Sequence, residues 1–163
     1  MASLKIREAR ASDADKLAPS LREVDREELE AAEGRGCDIG HILRTAVRIS
    51  DMCWAAEEED GEVIALFGVA GASLLGEHGP VGSPWLLGSD KLDRHAKTLV
   101  RAGKKYVGLI HEKYPYLANY VDKRNTISKR WLRRLGFTIH PPIPRGPMGM
   151  MFHRFDKLQA QDV

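Results

Sequence analysis

The chain has 163 residues, 43% of them hydrophobic, which is enough for one domain to close its own core without metal or disulfide staples. Its longest apolar run, Val63 to Ala72, is too short to cross a bilayer, and the opening MASLKIREAR lacks the apolar centre of a secretion signal, so a single soluble, unsecreted domain over residues 1–163 is expected, with no membrane partner. The net charge of +2 conceals an asymmetry: residues 1–90 hold 9 Lys+Arg against 18 Asp+Glu, and residues 91–163 hold 16 against 5, so the C-terminal half offers a surface to a polyanion, a phosphorylated cofactor or an acidic protein.

In chain order, Leu4 to Ala9 reads as a short strand, and Ser12 with Asp15 three residues later as a helix N-cap. Asp25 to Ala32 reads as a second helix, stopped at Gly34-Arg35-Gly36. Ile39, Ile42, Leu43, Ala46 and Val47 recur at helical spacing and predict a third helix that packs on a sheet. Cys53 to Glu58 and Glu62 to Val69 are strand-like, and Asp60-Gly61 between them signals a hairpin. A Gly-rich connection, Gly71 to Gly82, leads to the short run Pro84 to Gly88, read as a central strand.

From Ser89 the stripe Leu92, Ala96, Leu99, Gly103, Val107, Ile110 predicts a long helix ending before Pro115. Tyr116 to Asp122 is a further strand, Thr126 to Leu135 a helix closed by Gly136, and Phe137 to His140 with Met150 to Phe155 a final strand pair. The Pro-rich segment Pro141 to Pro147 is read as the loop joining that pair. Strands and helices in this order predict an α/β fold, a mixed central sheet with helices on both faces. Cys37 and Cys53 have neither C-x-x-C spacing nor a nearby His pair, so no metal site is expected.

The segment N-T-I-S-K-R-W-L-R-R-L-G-F, from Asn125 to Phe137, follows a strand directly, and it resembles the C-terminal signature of the GNAT superfamily of N-acetyltransferases. With DMCWAA, FGV, PWLLGSD and YPYLANYVD, most of the chain also resembles GNAT-like internal virion proteins of podovirus-type bacteriophages. The resemblance implies the GNAT fold, acetyl-CoA as cofactor, and transfer of an acetyl group to an amine, the acceptor being a protein of phage or host. The phage likeness implies the alternative of a catalytically degenerate scaffold with virion proteins as partners, located in the virion or host cytoplasm. Pantetheine is then expected along Trp85, Leu86, Leu87 and Gly88, the phosphates at Ser89, Lys91 and Arg94, and Asn125 in the second wall.

Two departures from the family pattern stand out. The segment after the strand has no G-x-G, and it places Asp90 and Asp93 where a pyrophosphate would sit. The position that usually carries an acidic tyrosine is Leu132, which leaves Tyr120 or Tyr116 to donate a proton. Glu58, Glu59, His78 and Asp90 are the candidate bases, with Glu58 taken first. Lys129, Arg130, Arg133 and Arg134 share one helix face and raise nucleic acid as a partner, against the acidic first half and the lack of interleaved aromatics.

Overall fold

A computed structural model describes residues 3–72 and 81–160. The elements run β1 (Leu4–Glu8), α1 (Ala11–Leu17), a 3-10 turn (Ala18–Ser20), α2 (Glu23–Glu33), α3 (Ile39–Ile49), β2 (Met52–Glu58), β3 (Val63–Ala72) and β4 (Val81–Gly88). A 3-10 stretch (Asp90–His95) then precedes α4 (Ala96–Lys113), β5 (Tyr116–Asp122), α5 (Thr126–Arg134), β6 (Thr138–Arg145) and β7 (Met150–Leu158). The strands form one sheet in the order β1-β2-β3-β4-β5-β7-β6, in which β4 and β5 are parallel and every other neighbouring pair antiparallel.

Helices cover both faces, because each presents one apolar stripe that must be buried. On one face Ala14, Leu17 and Leu43 of α1 and α3 pack with Ala55, Leu66 and Leu87 of the sheet. On the other face α4 and α5 contribute two clusters. Ile110 packs with Val69, Leu117, Val121, Phe137 and Phe155, while Leu99 and Trp131 pack with Ala56, Ile64, Ala65 and Leu92. Among the described residues no helix is long and apolar enough to cross a membrane.

Several local expectations hold. Asp60-Gly61 turns the β2–β3 hairpin, with Gly61 at φ +84° and the Glu62 N–H donating to Asp60 Oδ1 at 2.9 Å. Gly136, at φ +92°, ends α5 and lets the Phe137 N–H return to the Leu132 carbonyl at 2.9 Å.

Others are corrected. The first helix is capped at Arg10, whose N–H donates to Asp13 Oδ2 at 2.7 Å, rather than at Ser12. The long helix does not start at Ser89: residues 90–95 are 3-10, and α4 proper begins at Ala96. The Pro-rich segment is not a loop, since Pro142 and Pro144 lie within β6 opposite His153 and Met151. That strand is the sheet's edge, where a missing N–H costs no ladder bond, and the turn is confined to Gly146–Gly149.

Candidate functional site

The parallel pair at the centre of the sheet separates almost at once. β4 and β5 pair only at Val81↔Tyr116 and Gly82↔Leu117, whereas β4 pairs with β3 along its whole length, from Ala72↔Val81 to Ala65↔Gly88. Beyond Gly82 a gap opens between the strands.

Main-chain groups alternate from one side of a strand to the other. The Ser89 N–H donates to Ile64 O of β3 at 2.9 Å, so Ser83, Trp85 and Leu87 serve the β3 side, while Pro84, Leu86 and Gly88 turn theirs into the gap. Side chains satisfy most of the gap-lining groups. Ser83 Oγ donates to Ala118 O at 3.1 Å, and Asn119 donates from Nδ2 to Pro84 O at 2.8 Å while its Oδ1 accepts the Tyr120 N–H at 2.8 Å.

At the open end, the Gly88 N–H donates to Asp25 Oδ2 at 2.9 Å and the Asp122 N–H to Glu28 Oε1 at 2.6 Å. Asp25 and Glu28 stand one helical turn apart on α2, so this helix bridges both walls of the gap. Pro84 has no N–H to give, and the Leu86 N–H meets no partner among the described residues. The register at Val81↔Tyr116, carried forward, sets Leu87 level with Asp122, whose N–H Glu28 accepts. Burial pushes the Glu28 carboxyl up to about 7, reinforced by Asp25 and Asp122, against the pull of the Asp122 amide and the Asn125 side chain.

The end of the gap is charged and dry. Arg22 is 2% exposed; its Nε and Nη2 donate to Asp25 Oδ2 and Oδ1 at 3.0 and 2.9 Å, and its guanidinium stacks 5.6 Å from the Trp131 ring centroid. Burial nonetheless pushes the Asp25 carboxyl up, opposed by Arg22 and by the Gly88 amide. Among the described residues two buried polar atoms here lack a partner: Arg22 Nη1, which stops 3.6 Å from Asp93 Oδ1, and Ser89 Oγ at the start of the 3-10 stretch.

The sequence candidates distribute unevenly around this gap. Trp85, Leu86, Leu87, Gly88 and Ser89 form its β4 wall. The Trp85 Nε1–H donates to Ser50 Oγ at 2.8 Å, and Leu86 packs among the α4 and α5 residues. Asn125 is 1% exposed; its Oδ1 accepts the Ser128 N–H at 3.1 Å, capping α5. Lys91 is paired with Glu62, and Arg94 lies 3.4 Å from Glu58, so both expected phosphate ligands already face carboxylates.

Glu58 and Tyr120 are not brought together. They lie on β2 and β5, three strands apart, which is more than about 14 Å once the gap between β4 and β5 is added to ordinary strand spacing. Glu58 faces Arg94 and His95, while the Tyr120 ring lies under the Arg145 guanidinium, 3.7 Å away. Leu132 packs into the core, Glu59 accepts from Ser3 Oγ at 2.8 Å, and Asp90 is exposed. His78 lies outside the described residues.

Sequence reasoning missed Arg22, Asp25, Glu28 and Asn119. The available signal was the i, i+3, i+6 spacing of Arg22, Asp25 and Glu28, which sets three charges on one face of α2. Among the described residues no group of three or more His, Cys, Asp or Glu side chains could hold a metal ion.

No protein-family model and no curated protein sequence matches this chain. Solved structures do. A phosphinothricin acetyltransferase of the GNAT superfamily from Sinorhizobium meliloti, solved with acetyl-CoA, superposes with TM-score 0.73 at 14% identity, over 96% of this chain and 89% of its own. Ribosomal-protein-alanine N-acetyltransferase from Brucella melitensis gives 0.71 at 14%, over 94% and 99%, and a GNAT-family acetyltransferase from Streptococcus pneumoniae gives 0.65 at 14%, over 97% and 100%. None of these three is a virion protein. The mixed sheet, its parting central strands and these superpositions together give the chain the GNAT fold.

Proposed function

We propose that this chain is an N-acyltransferase that takes its acyl group from acetyl-CoA and gives it to an amine, with the reaction placed in the gap between β4 and β5. The observation that carries this reading is the gap itself, with the Leu86 N–H on the edge of β4 released from β5 and Glu28, a carboxyl held near neutrality, on the Asp122 N–H of the other wall. The bound cofactor would supply a thioester carbonyl, whose oxygen gains negative charge as an amine attacks. A fixed amide aimed at that oxygen stabilises the charge with little reorganisation, and Leu86 is that donor here. With its carboxyl raised to about 7, Glu28 is half ionised near neutral pH and is suited to take the amine's proton, so it replaces Glu58 as the preferred base.

The buried Ser89 Oγ and Arg22 Nη1 offer two unsatisfied donors for phosphate oxygens where the usual Gly-rich loop is lacking. Asp93 is the competing anion there, and Lys91 and Arg94 would have to leave Glu62 and Glu58 to join them. Trp85 and Tyr120 lie on the face of the sheet away from α4, the side left for the acceptor. Of the two candidate acids on that side, Tyr116 is already bonded to Asp156 and Arg154, which leaves Tyr120 to return a proton to the leaving thiolate.

A second reading, a GNAT-shaped scaffold acting through its surface in a virion or against a host protein, is favoured by one observation. Asp25 and Glu28 already hold the amides at both walls of the gap, as a ligand otherwise would. Calorimetric titration with acetyl-CoA, with CoA in comparison and mass spectrometry for copurified cofactor, separates the two. Micromolar binding, with acetyl transfer to a panel of peptide amines slowed by about 10²- to 10⁴-fold in Glu28→Gln, is the expected outcome. No binding at millimolar acetyl-CoA would leave the scaffold.

A further inference from the structure

A second polar site lies away from the gap, where the C-terminal half of α4, the end of α5 and the segment after β7 meet. These elements border an open hollow of about 400 Å³, lined in part by Lys104, Gly108 and His111 of α4, Arg134 and Gly136 at the end of α5, and Lys157 of β7. Its shape comes from two glycines. A Cβ on Gly108 would meet nothing within 4 Å, so the floor there is bare helix backbone. Gly136, at φ +92°, lets the Lys157 chain pass over it, with Nζ 3.5 Å from where a Cβ would be.

The charge is one-sided. Among the described residues, none of Lys104, Arg134 and Lys157 lies within 4.0 Å of a carboxylate. The negative end of the α5 dipole accounts for Arg134 in its last turn, but Lys104 in mid-helix and Lys157 on a strand have no such reason to be there. His111 adds the discriminating feature. It is 5% exposed, and its Nδ1 lies 3.1 Å from Tyr114 O, a carbonyl that can only accept. The ring proton therefore sits on Nδ1, which leaves Nε2 as a buried acceptor without a partner. Three cations and one buried acceptor, all without partners among the described residues, call for a ligand that brings both an anion and a hydrogen-bond donor.

We propose that this hollow binds a small phosphorylated molecule carrying a hydroxyl group, its phosphate held by Lys104, Arg134 and Lys157 and its hydroxyl donating to His111 Nε2. The site needs no thioester and is independent of the acyltransferase reading. The probe is glycerol 3-phosphate, followed by calorimetry and by amide and imidazole NMR shifts, with inorganic phosphate and a single-stranded oligonucleotide in comparison.

Glycerol 3-phosphate should bind at least tenfold more tightly than inorganic phosphate and should shift Gly108, Gly136 and His111. Lys157→Gln should weaken it about tenfold. Gly108→Leu should abolish it while keeping the parent's melting temperature or better, because the added side chain enters open space on a helix. No binding at millimolar concentration, or equal affinity of Gly108→Leu and parent, overturns the proposal. So does preference for the oligonucleotide with shifts spread along the exposed lysines and arginines of α4 and α5, which would make this face a general polyanion surface.

Discussion

The two edges of β4 have opposite fates. Toward β3 the strand is paired from Val81 to Gly88, while toward β5 it is paired at two positions and then released. Pairing main chain with main chain needs no particular side chain, so the β3 edge can be written with Leu, Val, Ala and Gly. The β5 edge had to be completed by Ser83, Asn119, Asp25 and Glu28, because a main-chain group left dry and unpaired costs as much as a lost hydrogen bond. Specificity in this molecule is therefore concentrated on the released edge, and Leu86 is the place where it was left incomplete.

The comparison can be tested first on the two tryptophans that flank the strand. Trp131 is 9% exposed among core residues on the α4 side, whereas Trp85 is only half-buried and borders the gap. Trp131→Ala should cost about 3–5 kcal/mol in urea unfolding, and Trp85→Ala distinctly less. Equal losses would mean that the gap is as tightly packed as the core.

A smaller effect concerns the side-chain rungs. Asn119→Ala strands the Pro84 carbonyl and the Tyr120 N–H and should cost about 1–2 kcal/mol. A neutral result would mean that water, and not Asn119, completes that edge.

Glu28 gives the effect with a pH signature, absent in acid and growing as the pH rises. Its folded value of about 7 lies above the ordinary 4.5, so the fold favours the protonated form. The stability this provides is complete below about pH 4.5 and is lost as the pH rises through 7. Glu28→Gln stays neutral while still accepting the Asp122 N–H, so it should match the parent below about pH 4 and exceed it by about 3 kcal/mol at pH 8. Parallel pH profiles for the two proteins would show Glu28 to be an ordinary solvated carboxylate.

Much of the fold was legible because it depends on local pattern. The Asp60-Gly61 hairpin, the apolar stripe of α4 and the Gly136 stop are set by residues within a few positions of one another. The Pro-rich strand β6 was misread because its rule is positional: proline is excluded from a central strand and allowed at an edge, and which strand is the edge is a property of the whole sheet.

The candidate site was half legible. The sequence by itself determined a strand ending at Gly88 and a helix starting after Asn125, since these follow from local pattern and order. Only the tertiary structure decided that Arg22, Asp25 and Glu28 of α2 reach the gap, and that Glu58 and Tyr120 stand three strands apart. Those relations join residues as far apart as Glu28 and Asp122, separated by 94 positions, and no periodicity within either segment encodes them. A carboxyl pushed to about 7 is likewise a property of what surrounds it, because desolvation is fixed only when the chain has closed over it.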